Sequence, residues 1–191
     1  ENVKTWLDQI RPIVDIDNKE NPVKILYNHD WLSKLSFEDV IDLASYFTVQ
    51  QMLERDMFQK RLEEQKPIHL HEFFYPLMQG YDSVAMNVDM EIGGNDQTFN
   101  MLVGRTMMKN RGKEKYVLTT KLLVDPTGKK MGKSEGNMVT LEDSPENMFG
   151  KVMSWPDSLM PLAFEICTRV PLEEVKEVSI LSPRDQKVRL A

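Results

Sequence analysis

The chain has 191 residues, of which 41% are hydrophobic and 28% charged, so it can form one domain, or one domain and part of another, around a real core. Its net charge of −6 argues against a protein coated in basic residues for nucleic acid, and its single cysteine excludes an internal disulfide. The apolar runs are far shorter than the ~18–20 residues that span a bilayer, so we expect a cytoplasmic protein with no membrane partner.

The first part of the chain is predicted to be mainly helical. Residues 1–22 are expected to form a helix and then a loop, and VKILY (23–27) to form a short strand. Ser36, followed three positions later by Asp39, is typical of a capping box at the start of a helix. Apolar residues at helical spacing predict helices that begin after Ser36, that run from about Thr48 to Pro67, and that cover about 70–85.

Two strands separated by a helix are predicted next. VDMEI (88–92) runs into two glycines, a helix is expected over about 96–110, and YVLTTKLLV (116–124) has the composition of a buried strand. This order is typical of an α/β domain with a parallel sheet, in which ligands bind beyond the carboxyl ends of the strands. The glycine-bearing stretches 93–94 and 128–136 both fall at such ends.

Positive charge is concentrated in one segment. Residues 105–133 carry nine basic and two acidic side chains, a net charge of +7, which leaves −13 on the rest of the chain. The basic residues are Arg105, Lys109, Arg111, Lys113, Lys115, Lys121, Lys129, Lys130 and Lys133. A basic zone on an acidic chain indicates a place for phosphates, although a solvated helix face and two exposed loops explain it equally well.

The stretch YPLMQGYD (75–82) carries polar residues on one side of a largely apolar helix. Tyr75, Gln79 and Asp82 are spaced at i, i+4 and i+7, which places them on one helical face. Polar groups on a mostly buried helix need partners, so this face is either the wall of a pocket for a small polar ligand or a stripe that faces solvent.

The stretch EIGGNDQ (91–97) joins the first predicted strand to the helix after it. Its two glycines let backbone approach a ligand closely, and the free N–H groups at the helix start favour anionic or hydroxyl-rich partners. An aspartate here suits the two hydroxyls of a ribose. A glycine turn with an ordinary N-cap is the simpler alternative.

The stretch KKMGKSEGN (129–137) is cationic and rich in glycine. Lysine ammonium groups on such a loop can close over a polyphosphate and stabilise the charge that develops during attack on phosphorus. The sequence has no GxxxxGK[ST] motif, so this is not a Walker loop. An exposed linker is the alternative.

Taken together, these stretches resemble the tyrosyl-tRNA synthetases, a family of class I aminoacyl-tRNA synthetases. KMGKS is similar to the family's KMSKS signature, EIGGNDQ to its GG-x-DQ signature and YPLMQGYDS to its tyrosine-binding helix, while EIGGNDQTFNMLVGR and MFGKVMSWPDSLM are most similar to a bacterial branch. The resemblance implies an α/β, Rossmann-like catalytic domain over 1–142, with connective dimerisation helices at about 33–72. An α-helical anticodon-binding region would begin over 143–191, where the pattern also predicts helices.

The resemblance implies a binding site for tyrosine. Tyr75 and Gln79 would hold its α-amino group, and Gln97 would lie near its reacting carboxylate. Asp82 would accept a hydrogen bond from the phenolic OH, so an analogue without that OH would leave a buried carboxylate unpaired. This enzyme family is itself a known example of rejection on that ground.

The resemblance also implies a binding site for ATP. Gly93, Gly94 and Asp96 would line the adenosine ribose. The lysine loop would hold the phosphates and stabilise the departing pyrophosphate, through the catalytic residues Lys130 and Lys133, with Ser134 assisting and Met131 beside them.

The implied reaction has two steps and three substrates. The tyrosine carboxylate would attack the α-phosphate of ATP to give tyrosyl-adenylate, and a ribose hydroxyl of tRNA(Tyr) would then take the tyrosyl group. Mg²⁺ would travel with ATP, so no protein-bound metal or prosthetic group is expected. The family also implies a homodimer.

The sequence departs from the family pattern at two points. Glu91 stands where many relatives have glutamine, and no HxGH pattern occurs in the 191 residues. Since the family carries an ATP-binding HIGH-type motif in its N-terminal half, we expect the chain to correspond to the second half of the catalytic domain. We also expect it to be weak or inactive alone.

Three other functions stay open at this stage. Tryptophanyl-tRNA synthetases share the fold and the lysine loop, and nucleotidylyltransferases of related fold bind nucleotides, but neither explains the triad of Tyr75, Gln79 and Asp82. A non-catalytic RNA-binding or interaction module would bind RNA or protein without responding to tyrosine or ATP.

Overall fold

The computed structural model describes residues 3–124 and 138–191, which form two compact units. The central unit is Leu26–Lys121, and the terminal unit combines Glu1–Ile25 with Leu122–Ala191. The domain boundary expected at residue 142 stays a prediction. None of the described helices is long and apolar enough to cross a membrane.

The central unit begins with short helices that start at capping residues. Ser36 accepts a hydrogen bond from the Asp39 N–H while the Asp39 carboxylate accepts one from the Ser36 N–H, so the predicted capping box is confirmed. The helix predicted from Thr48 to Pro67 is in fact two helices, because the extended backbone of Arg55 (φ −62°, ψ 125°) interrupts it. The helices are α2 (His29–Leu32), α3 (Phe37–Ser45), α4 (Val49–Leu53), α5 (Asp56–Glu63), α6 (Phe74–Ala85) and α7 (Thr98–Asn110), with 3-10 turns at Leu70–Phe73 and Asn95–Gln97.

A parallel pair of strands completes the central unit. Strands β1 (Met90–Gly94) and β2 (Tyr116–Thr120) pair in parallel with Glu91 opposite Val117, and α7 connects them and packs on both. The predicted strand–helix–strand order is therefore confirmed.

Two strand predictions need correction. Residues 23–27 do not join the sheet that the structure describes, and their backbone lacks the neighbouring strand that a β-ladder requires. The strand predicted at 116–124 extends only over Tyr116–Thr120 and is mostly exposed: Tyr116 and Leu118 are at least half exposed, since the described sheet has only two strands and covers little of β2.

The main core cluster of the central unit joins α3, α4, α6 and α7. Its buried members are Leu43, Met52, Leu77, Val103 and Met107. Helices α6 and α7 approach closely at Gly80, where a Cβ atom would lie 2.7 Å from Val103 Cγ1. This close approach brings the polar face of α6 next to the start of β1.

The terminal unit is helical, as predicted for the chain beyond Ser144. Ser144 caps α8 by accepting from the Asn147 N–H, and the Lys151 ammonium donates to the Asp143 carboxylate at 2.6 Å. Its helices are α1 (Val3–Ile10), α8 (Pro145–Ser154), α9 (Met160–Cys167), α10 (Leu172–Val178) and α11 (Pro183–Leu190), with a 3-10 turn at Asp157–Leu159. Its cores are built on Val152, Trp155, Leu159, Met160, Ala163, Phe164, Val175 and Val178.

Candidate functional site

Helix α6 presents its three polar residues to one recess in the central unit. Tyr75, Gln79 and Asp82 line this recess together with Asn28 and Met78, and its volume is about 250 Å³. That volume lies just below the roughly 300–1,000 Å³ of typical ligand pockets, which suits a small polar ligand. The spacing in the sequence therefore located residues that do lie together, although their roles stay predictions.

Asp82 is a half-buried carboxylate in this recess. It accepts a hydrogen bond from Trp31 Nε1 at 2.8 Å and a long one from Asn28 Nδ2 at 3.5 Å. Burial raises the pKa of the Asp82 carboxyl above its usual value, and the nearby Glu91 carboxylate adds to this, while the bonds from Trp31 and Asn28 lower the pKa in part. Because each carboxylate oxygen has two lone pairs, Asp82 can still accept from a further donor.

Tyr75 forms the open side of the recess. Its side chain is about half exposed (53%), and the Arg55 guanidinium lies over its ring, 5.8 Å from the centroid. This geometry is within the range of a cation–π contact. The contact restricts the orientation of the ring.

Gln79 lies at the start of a chain of side-chain amides. Gln79 Nε2 donates to Glu91 Oε1 at 3.0 Å, and Gln79 Oε1 accepts from Asn100 Nδ2, also at 3.0 Å. The same Asn100 nitrogen donates to Gln97 Oε1 at 3.1 Å, so Gln97 is connected to the α6 face.

Asn100 is buried, and its Oδ1 has no hydrogen-bond partner within the described part of the chain. An unsatisfied buried acceptor costs about 1–3 kcal/mol of stability. The amide keeps this orientation because both of its N–H groups are used by the two glutamines.

Behind the recess, Glu91 forms a buried ion pair with Lys115. The Lys115 side chain is 0% exposed, and its ammonium donates to Glu91 Oε2, to Ser83 Oγ at 2.8 Å and to the Met101 carbonyl at 3.1 Å. All three ammonium hydrogens are therefore used. Glu91 accepts from Gln79 on one oxygen and from Ser83 and Lys115 on the other.

The glycine-bearing turn lies at the carboxyl end of β1, as predicted. Strand β1 ends at Gly94, and the turn Asn95–Gln97 leads into α7. A Cβ atom on Gly93 would lie 3.2 Å from Met101 Sδ, so the glycine allows close packing on α7. Asp96 is exposed and accepts from Gln97 Nε2 at 3.4 Å.

The basic zone is less available to phosphates than its charge indicates. Lys115 is buried in its ion pair, and Lys113 bonds Asp89 at 2.9 Å and the Asn87 carbonyl. Lys113 also lines, with Arg105 and Lys109, a surface recess of about 350 Å³. The lysine-loop residues predicted to act in catalysis and ATP binding lie outside the described residues; they are Lys130, Met131, Lys133 and Ser134.

Sequence reasoning missed four residues that shape the recess or support it. Trp31 and Asn28 bond Asp82 from more than 50 positions away, and such a pairing leaves no periodic signal. In the sequence, Asn100 shows only that it belongs to the helix predicted over 96–110. Lys115 counts only toward the basic zone in the sequence, although a glutamate inside one predicted strand (Glu91) and a lysine just before the next (Lys115) are a usable signal for a pair.

Comparison with known proteins identifies the family. Residues 1–190 match the family model described as tRNA synthetases class I (W and Y). The whole chain is 48% identical to the tyrosine–tRNA ligase of Carboxydothermus hydrogenoformans over 199 residues, and 46% identical to that of Haemophilus influenzae over 197 residues. It covers 47% and 48% of those two proteins, so the chain spans about half the length of the curated relatives that it matches.

Solved structures agree on the fold. A C-terminally truncated mitochondrial tyrosyl-tRNA synthetase from Coccidioides posadasii matches 85% of the chain, and half of its own length, at 25% identity with a TM-score of 0.56. A tyrosyl-tRNA synthetase from Archaeoglobus fulgidus, solved with L-tyrosine, matches 99% of the chain and 68% of its own length at 21% identity, with a TM-score of 0.73. The predicted class I synthetase fold and the resemblance to bacterial tyrosyl-tRNA synthetases are confirmed, and the chain belongs to the class I tRNA synthetases of the W and Y family.

Proposed function

We propose that the protein to which this chain belongs is a tyrosine–tRNA ligase, and that the recess on α6 binds the substrate tyrosine. The observation that carries the proposal is the meeting of Tyr75, Gln79 and Asp82 in one recess of about 250 Å³, in a chain whose relatives are named tyrosine–tRNA ligase. Asp82 accepts the phenolic OH, while Gln79 and Tyr75 hold the α-amino group. Trp31 and Asn28 hold the Asp82 carboxylate in place through their hydrogen bonds to it.

This arrangement supports tyrosine over phenylalanine on physical grounds. Asp82 is half buried, and its pKa is raised mainly by burial, so an unpaired carboxylate here is costly when a ligand excludes water. Tyrosine offers a donor to this carboxylate, whereas phenylalanine covers it with an apolar edge. The discrimination therefore comes from the unsatisfied acceptor as much as from the new bond.

ATP is the proposed second substrate, with Mg²⁺ bound to its phosphates. Gly93, Gly94 and Asp96 lie where β1 ends, the edge at which parallel sheets bind nucleotides. Asp96 would take the ribose hydroxyls. The assignment of the phosphates to the lysine loop, that is to Lys130, Met131, Lys133 and Ser134, rests on the sequence motif alone.

The proposed chemistry is positioning and charge stabilisation. Gln97, oriented by its bond from Asn100, places the tyrosine carboxylate for attack on the α-phosphate of ATP. The loop lysines stabilise the charge on the departing pyrophosphate. Transfer to the ribose hydroxyl of tRNA(Tyr) completes the reaction.

The assembly of the protein is also a proposal. Helices within 33–72 leave large apolar side chains exposed, among them Phe37 (80%), Val49 (63%) and Leu70 (74%), which supports a homodimer through this region. The division into a catalytic part over 1–142 and the start of an anticodon-binding part over 143–191 remains proposed in the same way.

Calorimetric titration with L-tyrosine, L-phenylalanine and L-tryptophan tests the tyrosine assignment. We expect saturable binding of tyrosine alone, and a loss of about 10–150-fold in affinity in Asp82→Ala, since a hydrogen bond to a charged group contributes about 1.5–3 kcal/mol. Asp42→Asn, an exposed aspartate on α3, is the matched control and should bind as the unchanged chain does.

Three outcomes would contradict the proposal. Preference for tryptophan would move the assignment to the other specificity of the family. Equal loss in Asp82→Ala and Asp42→Asn would show that the recess is not the site. If the folded chain binds no tyrosine, the same titration on the full-length gene product decides, and silence there refutes the tyrosine assignment.

A further inference from the structure

We propose that the buried pair of Lys115 and Glu91 fixes the orientation of the Gln79 side-chain amide, so that Gln79 Oε1 faces the α-ammonium group of the amino acid. This inference rests on the proposed function, because it concerns how the same recess recognises that ammonium group. Lys115 is absent from the lining of the recess, so it acts through Glu91 as a positioning residue.

The orientation follows from what each group can donate. An amide side chain has one end that donates and one that accepts, and the two ends are told apart only by their partners. Glu91 Oε1 lies 3.0 Å from the Gln79 amide, and a carboxylate in an ion pair can only accept. The Gln79 NH₂ group must therefore face Glu91, and its oxygen must lie at the opposite end.

Lys115 holds Glu91 at that position. The ammonium is fully buried and uses its three hydrogens on Glu91, Ser83 and the Met101 carbonyl. A buried ammonium that loses its anion is strongly unfavourable, so Glu91 cannot turn away from Lys115 without breaking the fold around both. Gly104 provides the space, because a Cβ atom there would lie 2.6 Å from Lys115 Nζ.

The orientation set at Glu91 continues along the amide chain. Gln79 Oε1 accepts from Asn100 Nδ2, and that nitrogen uses its second hydrogen on Gln97 Oε1. Asn100 Oδ1 is left buried and without a partner within the described part of the chain. If the Asn100 amide were rotated by 180°, its oxygen would face the oxygens of both glutamines, and no additional hydrogen bond would form. The unpaired Asn100 Oδ1 is therefore a consequence of the orientation that Glu91 imposes on Gln79.

An ion pair performs this task better than a neutral side chain. A glutamine at position 91 could offer either its oxygen or its NH₂ group to Gln79, so both orientations of the Gln79 amide would be satisfied. A carboxylate permits only one. Gln79 Oε1 then keeps a lone pair, beside the bond from Asn100, for a cationic donor in the recess.

The test compares two ligands in a variant that removes both charges together. Glu91→Gln/Lys115→Met avoids the buried unpaired charge that either single change would leave. The ligands are L-tyrosine and desaminotyrosine, which lacks only the α-amino group, and the readout is the dissociation constant of desaminotyrosine divided by that of L-tyrosine. We expect this ratio to fall at least about tenfold in the double variant, since one charge-assisted hydrogen bond is lost, while desaminotyrosine binds as before.

The chain offers a matched control pair. Lys113 and Asp89 form an ion pair at 2.9 Å, two positions earlier than Lys115 and Glu91, and Asp89 is 90% exposed. Lys113→Met/Asp89→Asn removes the same charges without touching Gln79, and we expect the ratio to be unchanged. Glu91→Asp gives a second test if the double variant does not fold, because it keeps the charge but withdraws the oxygen from Gln79; the ratio should again fall.

The outcomes separate this inference from the proposed function. A folded double variant, or a folded Glu91→Asp, that keeps the ratio of the unchanged chain overturns the inference and leaves the tyrosine assignment standing. An equal fall in the control pair also overturns it, because the effect would then come from charge in general. If the unchanged protein does not distinguish tyrosine from desaminotyrosine, the proposed role of Gln79 in holding the α-amino group fails first.

Discussion

Replacement of Gly104 by alanine is expected to destabilise the central unit, because this glycine provides the space for the buried ammonium of Lys115. A Cβ atom at position 104 would lie 2.6 Å from Lys115 Nζ and 2.7 Å from Ser83 Oγ. Although Nζ ends a flexible side chain, it is fully buried and bonded in three directions. It cannot move aside without lengthening its bond to Glu91.

Two opposing contributions set the size of the effect. Disruption of a buried ion pair costs about 3–5 kcal/mol. Alanine gains about 1 kcal/mol over glycine inside a helix. The net loss for Gly104→Ala is therefore about 2–4 kcal/mol if the pair breaks, and about 0–2 kcal/mol if the helices separate slightly and the pair survives.

Gly150 is the matched control, since it also lies inside a helix. A Cβ atom at Gly150 has no neighbour within 4 Å among the described residues, so Gly150→Ala should stabilise α8 by about 0.5–1 kcal/mol. Hydrogen exchange reports the local stability of each helix by itself, so the assay is hydrogen exchange measured along α7 and α8 at increasing urea. Protection of α7 that rises in Gly104→Ala as much as protection of α8 rises in Gly150→Ala would refute the packing argument, because the added Cβ atom would then meet no resistance from Lys115.

Three further predictions concern the recess and a helix cap. Asp82→Asn should raise the stability of the central unit at neutral pH. Burial raises the folded-state pKa of Asp82, so the ionised carboxylate destabilises the fold above that pKa. The stability gained by Asp82→Asn should therefore shrink as the pH falls through the folded-state pKa. Urea titrations in which this gain grows on acidification would contradict the prediction. Trp31→Phe removes a donor that lowers the Asp82 pKa, so a carbon-detected NMR titration should show that pKa shifted upward, and a downward shift would refute the role of Trp31. Ser36→Ala should lower the free energy of unfolding by about 1 kcal/mol, because the capping box is lost. Ser45→Ala, at the end of the same helix, should lower it by less than about 0.5 kcal/mol. Equal urea midpoints for the two variants would show that the capping box does not stabilise the helix.

Local features of this fold were predictable because their causes lie close together in the sequence. The capping box of Ser36 and Asp39 spans four positions, and the face shared by Tyr75, Gln79 and Asp82 follows from the helical period. The parallel pair of β1 and β2 followed from the order strand, helix, strand. In each case the residues that decide the structure are neighbours along the chain or repeat at a fixed spacing.

Other features were not predictable because their partners are distant. Lys115 meets Glu91 across 24 positions and Ser83 across 32, so counting charges along the chain placed it on the surface. The break at Arg55 gave no signal in the apolar spacing, which is continuous across α4 and α5. The strand predicted at 23–27 failed for a related reason, since β-propensity states only that a segment can pair and says nothing of its partner.

Three costly features of the central unit lie in or beside the recess, and their placement supports a functional origin. The Asp82 carboxyl is partly desolvated, Asn100 Oδ1 is buried without a partner in the described part of the chain, and the fully buried Lys115 ammonium pairs with the largely buried Glu91. Each of these features costs stability that apolar side chains of similar size would avoid. By contrast, the capping boxes at Ser36 and Thr48 are satisfied on both sides. Proteins retain such local costs mainly where function requires them, so the cluster of costly groups beside the recess supports the proposal that the recess binds a ligand, on grounds separate from the sequence motifs.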